Sequence, residues 1–173
     1  MAEFNSCANL INDEKIKECN EIYNDLLTEG KDPLEYMLNA QGLLQKHLSE
    51  TVEGNANPEN LSKLGEIYDW LLSNKIALDD EFREVVDALP GMNLSEKERS
   101  AIWKKWKANH LKLREKSISE LDTNELKELK FEVIDMWHFF MNMMLGLKIS
   151  SRELFTYYYY KNLENIRRYN SGY

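Results

Sequence analysis

The chain has 173 residues, 43% of them hydrophobic and 30% charged, a balance that suits one soluble domain with a real core and excludes a disordered chain. Its formal net charge of −8 argues against attraction to a nucleic-acid backbone, so direct nucleic-acid binding is not expected, although a local basic pocket for one small anion stays open. No apolar run approaches the roughly 20 residues of a membrane span, Met1 to Asn12 lack the basic start and apolar stretch of a secretory leader, and Cys7 and Cys19 suit a reducing cytoplasm better than a disulfide framework.

The elements read as helices throughout. Asn12 is placed to cap a first helix running to Gly30. Asp32-Pro33-Leu34-Glu35 combines a cap, a first-turn proline and a reciprocal Glu, and opens a helix with Leu34, Met37, Leu38, Leu44 and Leu48 on its apolar stripe. Asn57-Pro58 is expected to open the next, with Leu61, Leu64, Ile67, Tyr68 and Leu71, and a short helix to run from near Asp79 to just before Pro90-Gly91. Ser95 with Glu98 forms a capping box that predicts a long polar helix to about Lys116. Asp122 with Glu125 opens the most apolar segment, which ends at Gly146, and Ser150 with Glu153 opens the last helix. Val and Thr are scarce and the apolar spacing is three and four, so the fold class is all-α, a single helical domain over 1–173 without internal repeats.

Two motifs carry the chemistry. Glu81-Phe82-Arg83-Glu84 and Glu132-Val133-Ile134-Asp135 each set two carboxylates three apart, on one helix face. Phe131, Val133, Ile134, Met136, Trp137, Phe139, Phe140, Met141, Met143 and Met144 surround the second pair, so that helix is apolar nearly all round and is expected to be buried. Two buried carboxylates repel each other and need a neutralising partner. Four hard oxygen donors with no cysteine favour Mg²⁺, with Mn²⁺ as a substitute, over zinc. A solvated face for Glu81 and Glu84, and a salt bridge to Arg or Lys for Glu132 and Asp135, remain open. His138 follows Asp135 by three residues, but neither His47 nor His110 completes a second carboxylate-x-x-His element, so a di-iron site is disfavoured.

Trp103-Lys104-Lys105-Trp106-Lys107 is dense in cations and indoles. It reads either as an amphipathic helix with both indoles tucked into the core, or as a base platform with phosphate-neutralising lysines. Lys161, Asn165, Arg167, Arg168 and Tyr173 form a second small basic cluster, which a solvated helix end would also explain. Tyr157 to Tyr160 cover more than one helix face, so some of the rings are expected in the core and others exposed or at an interface.

DDEFREVVDAL from Asp79, SAIWKKWK from Ser100, KFEVIDMWHFFMNM from Lys130 and KNLENIRRYNSGY from Lys161 occur here in one order, and EFNSCANLI and DPLEYML precede them. Together they resemble the all-α nucleotide pyrophosphatases of the dimeric dUTPase and MazG-like type, and more closely the branch from T-even-type bacteriophages that acts on dCTP and dUTP. The resemblance covers nearly the whole chain. It implies that Glu81, Glu84, Glu132 and Asp135 hold two or more Mg²⁺ ions and that Glu84 also deprotonates the attacking water. His138 and Phe139 would contact the deoxynucleoside, Trp103 or Trp106 would line the base pocket, and Lys104 and Lys107 would meet phosphate. Lys161, Asn165, Arg168 and Tyr173 would close over the phosphates. Gln41 stands where the dimeric dUTPases read the base. Gln45 stands where an Asn is expected one turn later, and the stretch from Gly91 to Ile102 is extra; both departures favour a site that accepts cytosine.

The implied reaction is hydrolysis of dCTP and dUTP, and of dCDP and dUDP, to the monophosphate. The same resemblance implies a homodimer in the host cytoplasm, association with other enzymes of deoxynucleotide synthesis, and exclusion of dCTP from phage DNA. A broader house-cleaning pyrophosphatase acting on other bases and a non-catalytic helical interaction subunit are the competing readings.

Overall fold

Side-chain caps set most of the helix starts in the computed structural model, which describes residues 10–172. Tyr173, expected at the phosphates, and Cys7 lie outside the described residues. The first helix, α1 (Asp13–Thr28), begins where Asn12 Oδ1 accepts the Lys15 N–H at 2.9 Å. It stops at Gly30, whose φ of +69° is easily reached only without a Cβ. In α2 (Pro33–Thr51) the cap is Asp32, which accepts the Leu34 N–H at 2.9 Å. The last two helices, α6 (Thr123–Gly146) and α7 (Ser151–Asn170), start at the expected boxes of Asp122 with Glu125 and Ser150 with Glu153. Among the described residues there is no strand, and the all-α class holds.

Two expectations fail between these points. Asn57-Pro58 opens only a 3₁₀ turn over Pro58–Asn60. The next helix, α3 (Leu64–Ala88), then runs unbroken through the region where two helices were expected. Residues 72–78 hold no Gly or Pro, so nothing there interrupts the backbone ladder. The long polar helix expected after Ser95 is also absent: α4 (Glu96–Arg99) is a single turn, residues 100–107 are irregular, and α5 (Ala108–Glu115) follows. A capping box satisfies the N–H groups of the first turn and sets no length, so the packing of the segment beyond it decides where the helix ends. In the observed path Ala101 is buried and the Arg114 guanidinium donates to the Ile102 carbonyl.

Residue contacts divide the chain into two units, one of residues 1–21 and 72–140, the other of residues 22–71 and 141–173. The boundaries fall inside α1, α3 and α6. In the first unit Val85 and Ala88 of α3 pack with Leu129 of α6, and Leu121 and Met136 flank them. In the second, Leu38, Met141 and Met144 are buried, and the Trp70 Nε1–H donates to the Asn142 carbonyl at 2.7 Å. The expectation of a fully buried α6 is corrected: Val133, Ile134 and Phe140 are exposed. So are all four rings from Tyr157 to Tyr160, because α7 buries little beyond Ser151 in the single chain. No helix among the described residues is long and apolar enough to cross a membrane.

Candidate metal centre

The packing of Val85 and Ala88 on Leu129 fixes the neighbouring turns of α3 and α6, and the acidic motifs sit on those turns. One carboxylate oxygen each from Glu81, Glu132 and Asp135 falls within 4.8 Å of the others, and all three residues are half-buried. Glu84, one turn beyond Glu81, is exposed. It stands at the edge of the group, close enough to be the strongest charged neighbour acting on Glu132.

The electrostatics are those of an uncompensated cluster. Burial pushes the Glu132 carboxyl up to about 7, and the charges of Glu84, Asp135, Glu81 and Glu128 add to the effect. Burial also raises Glu81, with Glu84, Asp135 and Asp80 reinforcing it. The basic residues of this stretch are engaged elsewhere: Lys75 pairs with Asp79 and Arg83 with Asp80. Among the described residues no ion pair includes Glu81, Glu84, Glu132 or Asp135. The salt-bridge alternative for Glu132 and Asp135 is therefore not what the structure contains. Hard oxygen donors, gathered and left without a basic partner, fit a hard divalent cation.

The other sequence-derived residues are placed as follows. His138 and Phe139 are half-buried on the turn of α6 after Asp135. Trp103 and Trp106 are 54% and 69% exposed rather than tucked into the core. Their rings meet edge to face at 5.2 Å, and Lys104 Nζ lies 5.3 Å from the centre of the Trp103 ring, a cation–π contact. Trp103 also lines a cavity of about 330 Å³ with Val86, Leu89, Ile102, Leu113 and Leu121. Lys107 is exposed at the start of α5. In the second unit Gln41 is buried, and Gln45, one turn later on α2, is half-buried. Lys161, Asn165 and Arg168 are exposed on the last turns of α7, where Arg168 and Arg167 both hold Glu164.

Two further amides are buried on the same helices. Asn74 lies seven residues before Glu81, and Asn142 seven after Asp135. Seven residues are close to two helical turns, so each lies on the same helix face as a carboxylate pair. The Gln41 Nε2–H donates to Asn142 Oδ1 at 2.7 Å.

Comparison with known proteins places this geometry in a lineage. The chain is 42% identical over 173 residues, all of both chains, to a dCTP pyrophosphatase of Enterobacteria phage T4. It is 41% identical over 174 residues, again all of both chains, to a dCTP pyrophosphatase of Enterobacteria phage LZ5. A DNA replication protein of Enterobacteria phage T4 is 42% identical over 162 residues, which are 94% of this chain but 41% of that protein. No protein-family model matches the chain, and no solved structure matches it. Identity at this level along the entire length settles the relationship: the chain belongs to the phage dCTP pyrophosphatase family.

Proposed function

We propose that this protein is a dCTP diphosphatase that converts dCTP to dCMP and pyrophosphate, acts on dUTP in the same way, and uses Mg²⁺ held by Glu81, Glu84, Glu132 and Asp135. The observation that carries the reading is the convergence of Glu81, Glu132 and Asp135 from two helices. Full-length identity of 42% to a dCTP pyrophosphatase supports the substrate. When bound, the cation would offset the charge of the triphosphate and acidify water.

The chain's own residues account for the rest. Glu84, exposed beside the cluster, takes a proton from the attacking water onto a carboxylate oxygen. The water oxygen bonds to the β-phosphorus. The bond from that phosphorus to the oxygen bridging to the α-phosphorus breaks, and dCMP leaves with the bridging oxygen. The diphosphates dCDP and dUDP are cleaved likewise, to phosphate. Lys104, Lys107, Lys161, Asn165, Arg168 and Tyr173 steady the phosphate oxygens. Trp103 or Trp106 stacks on the base, His138 and Phe139 contact the deoxyribose, and Gln41 and Gln45 read the base edge.

A second copy of the chain is proposed to cover apolar surface, because α1 has no buried residue and the aromatic rings of α7 are exposed. Removal of dCTP would keep unmodified cytosine out of phage DNA, in the host cytoplasm and beside other enzymes of deoxynucleotide synthesis. The phage relative named as a DNA replication protein suits that setting.

Pyrophosphate release from dCTP, dUTP, dTTP, dATP and dGTP with Mg²⁺ tests the proposal. Turnover confined to dCTP and dUTP is expected. Comparable purine turnover would move the reading to a house-cleaning pyrophosphatase, and silence on every nucleotide would end it. In ¹⁸O-water the label is expected in pyrophosphate; label in dCMP would place the attack at the α-phosphorus.

A further inference from the structure

The net charge of −8 hides a local reversal of sign. From Glu96 to Lys116 eight residues are Lys or Arg and three are Glu. This segment, made of α4, the irregular residues 100–107 and α5, lies wholly in the first unit. Its own fold uses three of the cations. Arg99 donates to Met92 Sδ at 3.7 Å, Arg114 to the Ile102 carbonyl, and Lys116 to the Pro90 carbonyl at 3.3 Å. The ammonium groups of Lys97, Lys104, Lys105, Lys107 and Lys112 enter no hydrogen bond or ion pair among the described residues. The ion pairs that do form among those residues all lie outside the segment.

An aromatic ring sits among these unpaired charges. Trp103 lines the cavity with Val86 and Leu113, whereas Trp106 is 69% exposed between Lys105 and Lys107. The edge-to-face contact with Trp103 at 5.2 Å engages at most one face of the Trp106 ring. Exposed indole flanked by free ammonium groups is the chemistry that meets an unstacked base and its neighbouring phosphates together. A duplex keeps its base faces in its own stack, so the matching polyanion is single-stranded. Lysine donates and cannot accept the proton of a ribose 2′-hydroxyl, so these residues give RNA no advantage over DNA. A lipid surface fits less well, because Leu111 of α5 is exposed but Leu113 faces the cavity, leaving no apolar stripe to enter a bilayer. The acidic remainder of the chain is screened beyond about 8 Å at physiological salt.

We propose that the segment from Glu96 to Lys116 is a binding surface for single-stranded DNA, with a base stacked on Trp106 and phosphates held by the free lysines around it. The surface is independent of the proposed hydrolysis, in which Lys97, Lys105 and Lys112 take no part, and either reading stands if the other fails.

Fluorescence anisotropy of a labelled oligothymidylate of about 20 nucleotides, with the full chain in EDTA, tests it. Binding is expected with a Kd of roughly 10⁻⁴–10⁻⁶ M, weakening with salt at a log–log slope of up to about −3.5 if all five lysines meet phosphate. Lys105→Gln with Lys112→Gln is expected to flatten the slope by about 1.4 and to leave dCTP hydrolysis unchanged. Lys46→Gln, an exposed lysine of the other unit, is expected to leave the slope as it is. Trp106→Ala is expected to weaken the oligothymidylate about tenfold without changing affinity for a duplex, and Trp106→Phe to keep most of the binding. Oligouridylate of the same length is expected to bind no more tightly, and phosphatidylserine vesicles are expected not to sediment the protein. No anisotropy change at 50 mM salt, a slope lowered as much by Lys46→Gln as by a segment lysine, or an affinity indifferent to Trp106→Ala overturns the proposal. So does a marked preference for RNA, or binding to vesicles in place of DNA.

Discussion

Glu132 and Glu164 are both glutamates on long helices, and their surroundings push them in opposite directions. Burial and four neighbouring carboxylates raise Glu132 to about 7. Hydrogen bonds from Arg167 and Arg168 hold Glu164 down at about 2. The acid on α7 has been given its cations by the residues three and four positions along the same helix. The acids of α3 and α6 have not, although Lys75 and Arg83 stand close by in sequence and pair with Asp79 and Asp80 instead. A carboxylate satisfied by its own helix is a surface detail, whereas a packed group left without a basic partner has the chemistry that fits a hard cation.

The largest effect expected from breaking this contrast is catalytic. Glu84→Gln keeps size and helix but removes the proposed base, and hydrolysis of dCTP with Mg²⁺ is expected to fall by about 10²–10⁴-fold while circular dichroism is unchanged. Retained turnover would remove Glu84 from that role.

Leu129→Ala strikes the packing that aligns the carboxylates. It is expected to destabilise the fold by about 2–5 kcal/mol in urea denaturation and to weaken Mg²⁺ binding measured by calorimetry. Loss of stability with unchanged Mg²⁺ affinity would show that the cluster does not depend on this core.

A pH series sharpens the comparison further. Without a divalent cation, Glu132 binds its proton more tightly in the folded than in the unfolded chain. Stability from this group is therefore present below its ordinary value of 4.5 and is lost as pH rises through about 7. In EDTA the melting temperature is expected to drop between pH 5 and pH 8 more for wild type than for Glu132→Gln. Added Mg²⁺ should stabilise wild type most at the upper end, where the carboxylates are ionised. Identical profiles for the two proteins would contradict the cluster's electrostatics.

The smallest effect belongs to α7. Glu164 has the opposite sign, contributing above its ordinary value and losing that contribution as pH falls toward about 2. Its arginine pairs are exposed and screened by water, so Glu164→Gln is expected to leave the melting temperature at pH 7 almost unchanged. A large drop would mean that this end of α7 is buried by a partner, such as a second copy of the chain.

Helix starts were legible in the sequence because a cap is a local device. Asp32, Asp122 and Ser150 each act on an N–H two or three residues away. The pairing of Glu81 with Glu84 and of Glu132 with Asp135 was legible for the same reason, since a spacing of three puts two side chains on one face of any helix. Where the signal was not local, reading ran out. Asn57-Pro58 resembles a helix start yet opens a single 3₁₀ turn, and Ser95 with Glu98 caps a helix of one turn. A cap specifies a beginning and says nothing about length.

The sequence by itself determined an all-helical chain, two acidic faces and a relationship to nucleotide pyrophosphatases. Only the tertiary structure decided that Glu81, Glu132 and Asp135 converge while Glu84 stays at the edge, and that Gln41 is bonded to an Asn 101 residues away. The reason is physical. Helical periodicity and capping act over a few residues of one backbone, whereas convergence depends on how Val85 and Ala88 seat against Leu129, a contact between segments distant in sequence.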